Sequence, residues 1–340
     1  MSRAQLTSTV EQNSAGVASP FVAGKNKIIN GDFGIWQRGT SFTQTNFNAG
    51  NIYTADRSAM IWNAVPTSVT VSQQTFTPGS APVAGYEGTY YWQSAITTVG
   101  SCTIWGYSQR IEDVRQLAGQ SVTVSFWAKA DSARNVAVEL DQNFGSGGSS
   151  LVIAGPTTIA VTTSWARYSA TFSLPSISGK TIGTNSYLQL FIAQAAASGS
   201  TLNLWGVQVE AGSVATAFST ATGTVQGELS LCLRYFRRFG GNASQTRVAV
   251  GWCPSGSSAN YIIPLTTPMR AAPSVSISTL SSLLWYDGTT GGSFTGFGPI
   301  IVTYHSIELG GTGSSGLTTG RAVGLTFDNI GTYMDWSAEL

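Results

Sequence analysis

The chain reads as an all-β protein: an antiparallel jelly-roll β-sandwich, one connecting α-helix, then a second, smaller β domain. Three observations predict this. From Asn26 to about Thr220, short runs of period two recur between Gly, Pro, Asn and Ser clusters, with no convincing helical period among them. Only 10% of residues are charged, while 11% are aromatic and 39 are Gly. That balance suits half-buried strands and tight turns better than solvated helices. Over Thr224–Gly240 the apolar spacing turns helical once, and beyond it strand-like runs return.

Taken in order, residues 1–25 form a polar leader without hydrophobic period, disordered alone and suited to inserting into a partner protein. It lacks the basic start and apolar core of a secretory signal. The first folded unit, 26–220, opens on Asn26–Trp36 (NKIINGDFGIW). Ile28 and Ile29 are β-branched, Asn30-Gly31 is a strong turn signal, and Phe33, Ile35 and Trp36 add bulk. Its expected partner is Leu204–Phe218 (LWGVQVEAGSVATAF), so Ile28–Trp36 and Leu204–Val209 should lie side by side as the seam of one closed body. Ser121–Lys129 alternates: Val122, Val124, Phe126 and Ala128 face one way, Thr123, Ser125, Trp127 and Lys129 the other. Asn135–Leu140, Trp165–Leu174, Tyr187–Ala193 and Leu202–Val209 behave similarly, and Gly145–Ser149 is a loop.

A helix is expected over 221–241. Leu229, Cys232, Leu233 and Phe236 repeat at helical spacing, with Leu231 and Tyr235 widening the face. Glu228 near the start and Arg234, Arg237 and Arg238 near the end complement the helix dipole, and Gly240-Gly241 stops it. The broad face of Leu229, Leu233 and Phe236 is a candidate oligomer interface, and packing on the neighbouring β domain is an equally good use of it. Residues 242–340 return to strands at Arg247–Trp252, Tyr261–Leu265, Ser274–Thr279, Ile300–Ile307 and Ala322–Phe327, with Gly310–Gly320 as a loop.

Several function classes are disfavoured. A formal charge of +1 gives no footprint for nucleic acid or an anionic membrane. No apolar run is long enough to span a bilayer. Three cysteines, Cys102, Cys232 and Cys253, lack metal-type spacing. They read as isolated thiols, with a Cys232–Cys253 bridge left open. The single His305 lies in a strand-like run without a nucleophile elbow and reads as structural. No glycine-rich stretch has phosphate-loop form. A glycoside-cleaving pair would need two carboxyls across a scissile bond, and Glu139 and Asp141 share strand parity near Asp131, a coincidence that solubility also explains. Sugar recognition on sandwiches uses flat aromatic faces beside amides and hydroxyls. Trp62, Trp92 and Trp127 are the candidate platforms on that ground, weighed against core packing, while Trp36 and Trp165 read as core. So low a charge fraction favours oligomerisation or incorporation into an assembly.

KNKIINGDFGIWQRGTSFT followed by YTADRS resembles the opening of a domain found in tailed-phage tail fibre and minor tail proteins, itself like the jelly-roll carbohydrate-binding modules. IEDVRQLAGQSVTVSFWAKA and SWARYSATFSL are similar to its inner strands. LWGVQVEAGSVATAF with GELSLCLRYFRRF resembles its end and the following helix. TTPMRAAPSVSIS and DWSAEL resemble the distal β domain. One departure is Ser58, where a Trp is usual. The resemblance implies a non-enzymatic virion protein on the particle exterior, a homotrimer attached to other virion proteins through its leader and binding a host-surface glycan. It also implies a structural Ca²⁺, with Asp32 and Glu210 as the matching acids. A head-decoration protein without ligand and a polysaccharide depolymerase are the alternatives.

Overall fold

The computed structural model describes residues 23–44, 50–64, 68–83, 86–241 and 243–340. The leader therefore lies outside the described residues as far as position 22. The chain divides into two units, Met1–Leu229 together with Leu340, and Ser230–Glu339.

Unit 1 is built from β1 (Ser41–Gln44), β2 (Gly50–Tyr53), β3 (Ala59–Trp62), β4 (Ser68–Thr75), β5 (Tyr90–Thr98), β6 (Ile104–Glu112), β7 (Ser121–Ala130), β8 (Arg134–Asn143), β9 (Val152–Val161), β10 (Ala166–Ser173), β11 (Tyr187–Ala195) and β12 (Ser200–Ala211). They form two six-stranded sheets in the orders β1-β4-β5-β12-β7-β10 and β2-β3-β6-β11-β8-β9. The alternation in β7 sets the layering. Val122, Val124, Phe126 and Ala128 are fully buried and meet Leu188, Leu190 and Ile192 of β11 in one shared core. Each of these valine, leucine, isoleucine and phenylalanine side chains contributes roughly 1.5–3 kcal/mol through burial. This is the antiparallel jelly-roll sandwich that the period-two runs require.

The opposite side of β7 carries Trp127, which packs with Trp205, Phe76 and Phe218 in a separate cluster. Between Trp205 and Gln208 the β12–β7 register shifts. Gly206 sits in that bulge at φ +62°, and a Cβ there would come within 2.7 Å of the Trp127 ring. Only glycine satisfies both demands.

The seam forms, but not as two paired strands. Residues 29–32 are turns, with Asn30 and Phe33 at positive φ. Lys27 N–H donates to the Val209 carbonyl and Val207 N–H to that of Gly31, both at 2.9 Å. The Asn26 amide completes the join. Its Nδ2 donates to Val207 O and Ser219 O, and its Oδ1 accepts from Ile28 and Val209 N–H. At Gly31 a Cβ would lie 2.2 Å from the Val207 carbonyl oxygen, so the Asn-Gly turn is fixed by this close approach.

The expected helix is shorter than 221–241. α1 covers Val225–Leu233, and Phe236–Gly240 is a strand, β13. The sequence FRRFG satisfies period two as well as helical spacing, and cross-strand partners decide between them. β13 pairs with β22 (Tyr333–Ser337), where Arg238 meets Asp335 through two 2.7 Å hydrogen bonds and lies 3.6 Å from the Tyr333 ring centroid. Arg237 Nε instead donates to the Leu233 carbonyl at the helix end. Leu229, Leu233 and Phe236 are therefore not one helical face: Leu229 is exposed, Leu233 half-buried, and Phe236 a buried strand residue.

The remaining strands of unit 2 are β14 (Thr246–Ser255), β15 (Ser258–Pro264), β16 (Ser274–Ile277), β17 (Leu283–Tyr286), β18 (Gly291–Ser293), β19 (Gly296–Val302), β20 (Ser306–Thr312) and β21 (Ala322–Phe327). They form a three-stranded sheet, β13-β22-β16, and a seven-stranded one, β18-β17-β21-β14-β15-β20-β19. Their core gathers Tyr261, Trp285, Leu309, Leu325, Phe327 and Trp336. The expected Ile300–Ile307 strand is a hairpin, and His305 is exposed in its turn. Cys102, Cys232 and Cys253 are all buried and none is in a disulfide, so no Cys232–Cys253 bridge forms.

Candidate functional site

The three tryptophans expected as sugar platforms are enclosed. Trp92 is 0% exposed and donates from Nε1 to Thr54 Oγ1 at 3.1 Å, and Trp62 is 7% exposed in the same core. Trp127, also 7% exposed, lies under Arg167, whose guanidinium carbon is 4.6 Å from the ring centroid. No ring here offers an open face. Alternation along a strand identifies one side but not which side is covered, and the loops carrying Phe76 and Phe218 cover the Trp127 side. Trp165 and Trp36 are half-buried rather than core.

Polar groups suited to a ligand gather elsewhere, on the outward face of the β2-β3-β6-β11-β8-β9 sheet. Leu188, Leu190 and Ile192 of β11 point into the core, so Tyr187, Gln189 and Phe191 point out. Register places Gln189 between Arg110 of β6 and Asp141 of β8, and Phe191 between Ser108 and Glu139. Gln189 Nε2 donates to Ser108 Oγ at 2.6 Å. Arg110 stacks 4.5 Å from the Tyr187 ring centroid and also donates to the carbonyl of Leu340, which accepts a 3.0 Å bond from Tyr53 as well.

Asp141 is the unusual member. It is 6% exposed, and its Oδ1 has no hydrogen-bond partner. Desolvation first, then the charge and hydrogen bond of neighbouring Glu139, push its carboxyl up to about 7. The face can thus donate from Gln189, Ser108 and Arg110, accept at Asp141 and Glu139, and offer the Tyr187 and Phe191 rings. Glu139 and Asp141 share parity as expected. Gln189, Ser108, Arg110 and Tyr187 went unnoticed, although polar residues alternating through an otherwise apolar strand at Tyr187–Phe191 signal them.

The segments most conspicuous in the sequence serve the fold instead. Asn30 Nδ2 donates to the carbonyls of Ile35 and Asp56, and Asp56 accepts from Gln37 at both its backbone and its side-chain amide. Arg57 is buried and donates to the Arg110 carbonyl. The NGDF and YTADRS segments are thus tied to one another.

The acids expected at calcium have separate neighbours. Glu210 accepts from Gln208 Nε2 and Thr216 N at one oxygen and from Thr216 Oγ1 at the other, with Lys25 Nζ 4.0 Å away. Asp32 accepts from Tyr86 O–H at 3.1 Å, and burial raises its pKa. It lines a cavity of about 450 Å³ with Tyr86 and Glu228. Glu228, also raised by burial, is taken up by Asn30 N and Thr222. Calcium requires six to eight oxygens free to coordinate. Both oxygens of Glu210 are already occupied by N–H and O–H donors, and among the described residues no group of three or more His, Cys, Asp or Glu side chains could hold a metal. The pair Asp32 and Glu210 does not fit the ion.

Solved structures similar to this chain include the CBM22-1 xylan-binding domain of Paenibacillus barcinonensis Xyn10C, at 13% identity and TM-score 0.33, covering 57% of this chain and 98% of that one. Tailspike protein 4 of bacteriophage CBA120, an enzymatically active domain, aligns at 13% identity and TM-score 0.32, covering 55% of this chain but 21% of its own. The family 11 carbohydrate-binding module of Clostridium thermocellum Lic26A-Cel5E aligns at 13% identity and TM-score 0.29, over 49% of this chain and 97% of that one. No residue role is carried over from likenesses this distant. No curated protein sequence matches the chain. Residues 96–189 match the family described as "Carbohydrate binding domain", a stretch that contains Ser108, Arg110, Glu139, Asp141, Tyr187 and Gln189.

Proposed function

We propose that unit 1 binds a glycan on the outward face of β6, β11 and β8, and that the chain is a non-enzymatic structural protein of a tailed phage, carried on the particle exterior as a homotrimer. The observation that carries the glycan reading is the part-exposed row of Tyr187, Glu139 and Phe191 on this face, set beside Gln189 and Asp141 and lying almost wholly inside the carbohydrate-binding match. Amide, hydroxyl and carboxyl groups beside two rings are the mixture that sugars require. The virion assignment is supported by the fibre-like NGDF, YTADRS and VQVEAG segments.

The test is binding of the intact protein to host-surface polysaccharide and to a glycan panel. Glu139→Ala and Gln189→Ala should each weaken binding about tenfold or more, equivalent to about 1.4 kcal/mol, with the melting curve of Glu139→Ala little changed. Absence of binding to any glycan would remove this reading in favour of a decoration protein without ligand. A density map of the assembled particle tests the virion assignment.

The elevated Asp141 carboxyl gives a depolymerase one point in its favour. Against it, Asp141 and Glu139 are neighbours on the same face of one strand, whereas cleavage needs carboxyls on either side of the scissile bond. Release of reducing ends from host capsule, abolished by Glu139→Gln, would reverse the assignment.

A further inference from the structure

The seven-stranded sheet of unit 2 buries Ala259, Tyr261, Ile263, Ile307, Leu309, Val323 and Leu325 on its inner side. Its outer side is apolar as well. One row runs across the strands: Tyr286 is opposite Gly324, Gly324 opposite Val250, Ile262 opposite Glu308, and Glu308 opposite Ile301. Val250 and Ile262 close the row, each one residue on from the Gly251–Tyr261 pair. In the next row Ala322 faces Trp252, Trp252 faces Asn260, and Asn260 faces Gly310, where Ile300 lies against the bare glycine. Exposure is 75% for Val250, 39% for Trp252, 51% for Ile262, 52% for Ile300, 55% for Ile301 and 41% for Tyr286. Antiparallel sheets with one solvated face normally carry polar side chains there.

We propose that this face is where copies of the chain pack on one another. The six side chains expose on the order of 600 Å² together, as large as the biggest patch of a typical monomer and approaching the roughly 800 Å² per partner of a stable interface. The surface is nearly neutral. Glu308 is held by Asn260 Nδ2 at 3.0 Å, and Arg247 lies over Gly324 against the Tyr286 ring, so the face carries one charge of each sign. Val250 and Ile262 form a ridge, and the small side chain of Ala322 leaves a lower place beside it that a side chain of another copy can enter. A strongly charged partner would find little to pair with. The interface is therefore on this sheet rather than on the Leu229, Leu233 and Phe236 set of α1 and β13.

This inference rests on the self-association part of the proposed function. The test is the mass of the intact protein by light scattering across a concentration series, for the wild type, for Val250→Lys combined with Ile262→Lys, and for Leu229→Lys. Both residues of the double variant are exposed, and circular dichroism checks that it folds. The expected result is an oligomeric wild type, a dissociation constant at least tenfold higher for the double variant, and no change for Leu229→Lys. A monomeric wild type would defeat both self-association and this surface. An oligomer indifferent to the double variant, or broken by Leu229→Lys alone, would defeat only the surface.

Discussion

The outward sheet face of unit 1 and that of unit 2 have the same architecture and opposite chemistry. In unit 1, Ser108, Gln189 and Asp141 put polar atoms where side chains are 6% exposed or less. In unit 2, the corresponding surface shows Val250 at 75% and Ile262 at 51%. Buried polar groups are costly unless something specific completes them, and exposed apolar groups are costly unless something covers them. The first pattern selects a ligand by hydrogen-bond geometry. The second selects a large apolar partner and tolerates changes in detail. A strand's buried face determines whether it folds, and the other face is left to function.

That contrast can be broken first at the tryptophans. If unit 1 recognises ligand through its polar face, Trp92→Ala should act on folding alone and lower the unfolding free energy by about 3–5 kcal/mol, measured by chemical denaturation. A folded Trp92→Ala protein that fails only in glycan binding would show that the core ring is the platform after all. Asn26→Ala should come next. It removes a buried amide with four hydrogen bonds, three of them across the seam, and should cost about 2–4 kcal/mol, at roughly 1 kcal/mol per bond.

Asp141 sharpens the comparison through pH. Its ordinary value is 3.8 and its folded value about 7, so the folded state holds the extra proton between them. Stability due to this group is present below about pH 4 and is lost as pH rises to about 7. Asp141→Asn should flatten that decline and raise stability at pH 8 by about 1–2 kcal/mol, less than the full shift implies because relaxation and water soften the effect. A steeper pH dependence in the variant would contradict the raised Asp141 carboxyl. The smallest effect belongs to unit 2. Val250→Ser should leave the stability of the dissociated chain within about 0.5 kcal/mol, because a side chain exposed in the single copy has few contacts of its own unit to lose. A large loss at dilutions where copies are apart would mean that Val250 is packed within its own unit.

Much of the fold was legible because period-two alternation is a local property. Val122 to Ala128 declare an inner face within a single strand, and the unbroken series of such strands leaves little but an antiparallel sandwich. The helix end was not legible. Phe236, Arg237, Arg238 and Phe239 fit two periods, and the partner that settled the choice, Asp335, lies 97 residues away. Sequence pattern separates the two sides of a strand without saying what covers either. Trp127 was therefore read as reachable although Trp205 and Phe218 cover it, while Gln189, partnered by residues on two other strands, attracted no notice.

What the sequence determined alone is the all-β class and the existence and period of most strands. Each follows from alternation or from turn chemistry carried by neighbouring residues. Only the tertiary structure decided that the join is made by the Asn26 amide and a turn, that Glu139 and Asp141 share their face with Gln189 and Arg110, and that the apolar surplus of the second unit lies on a sheet. Those outcomes depend on register between strands distant in sequence, and register is set by the whole packed core.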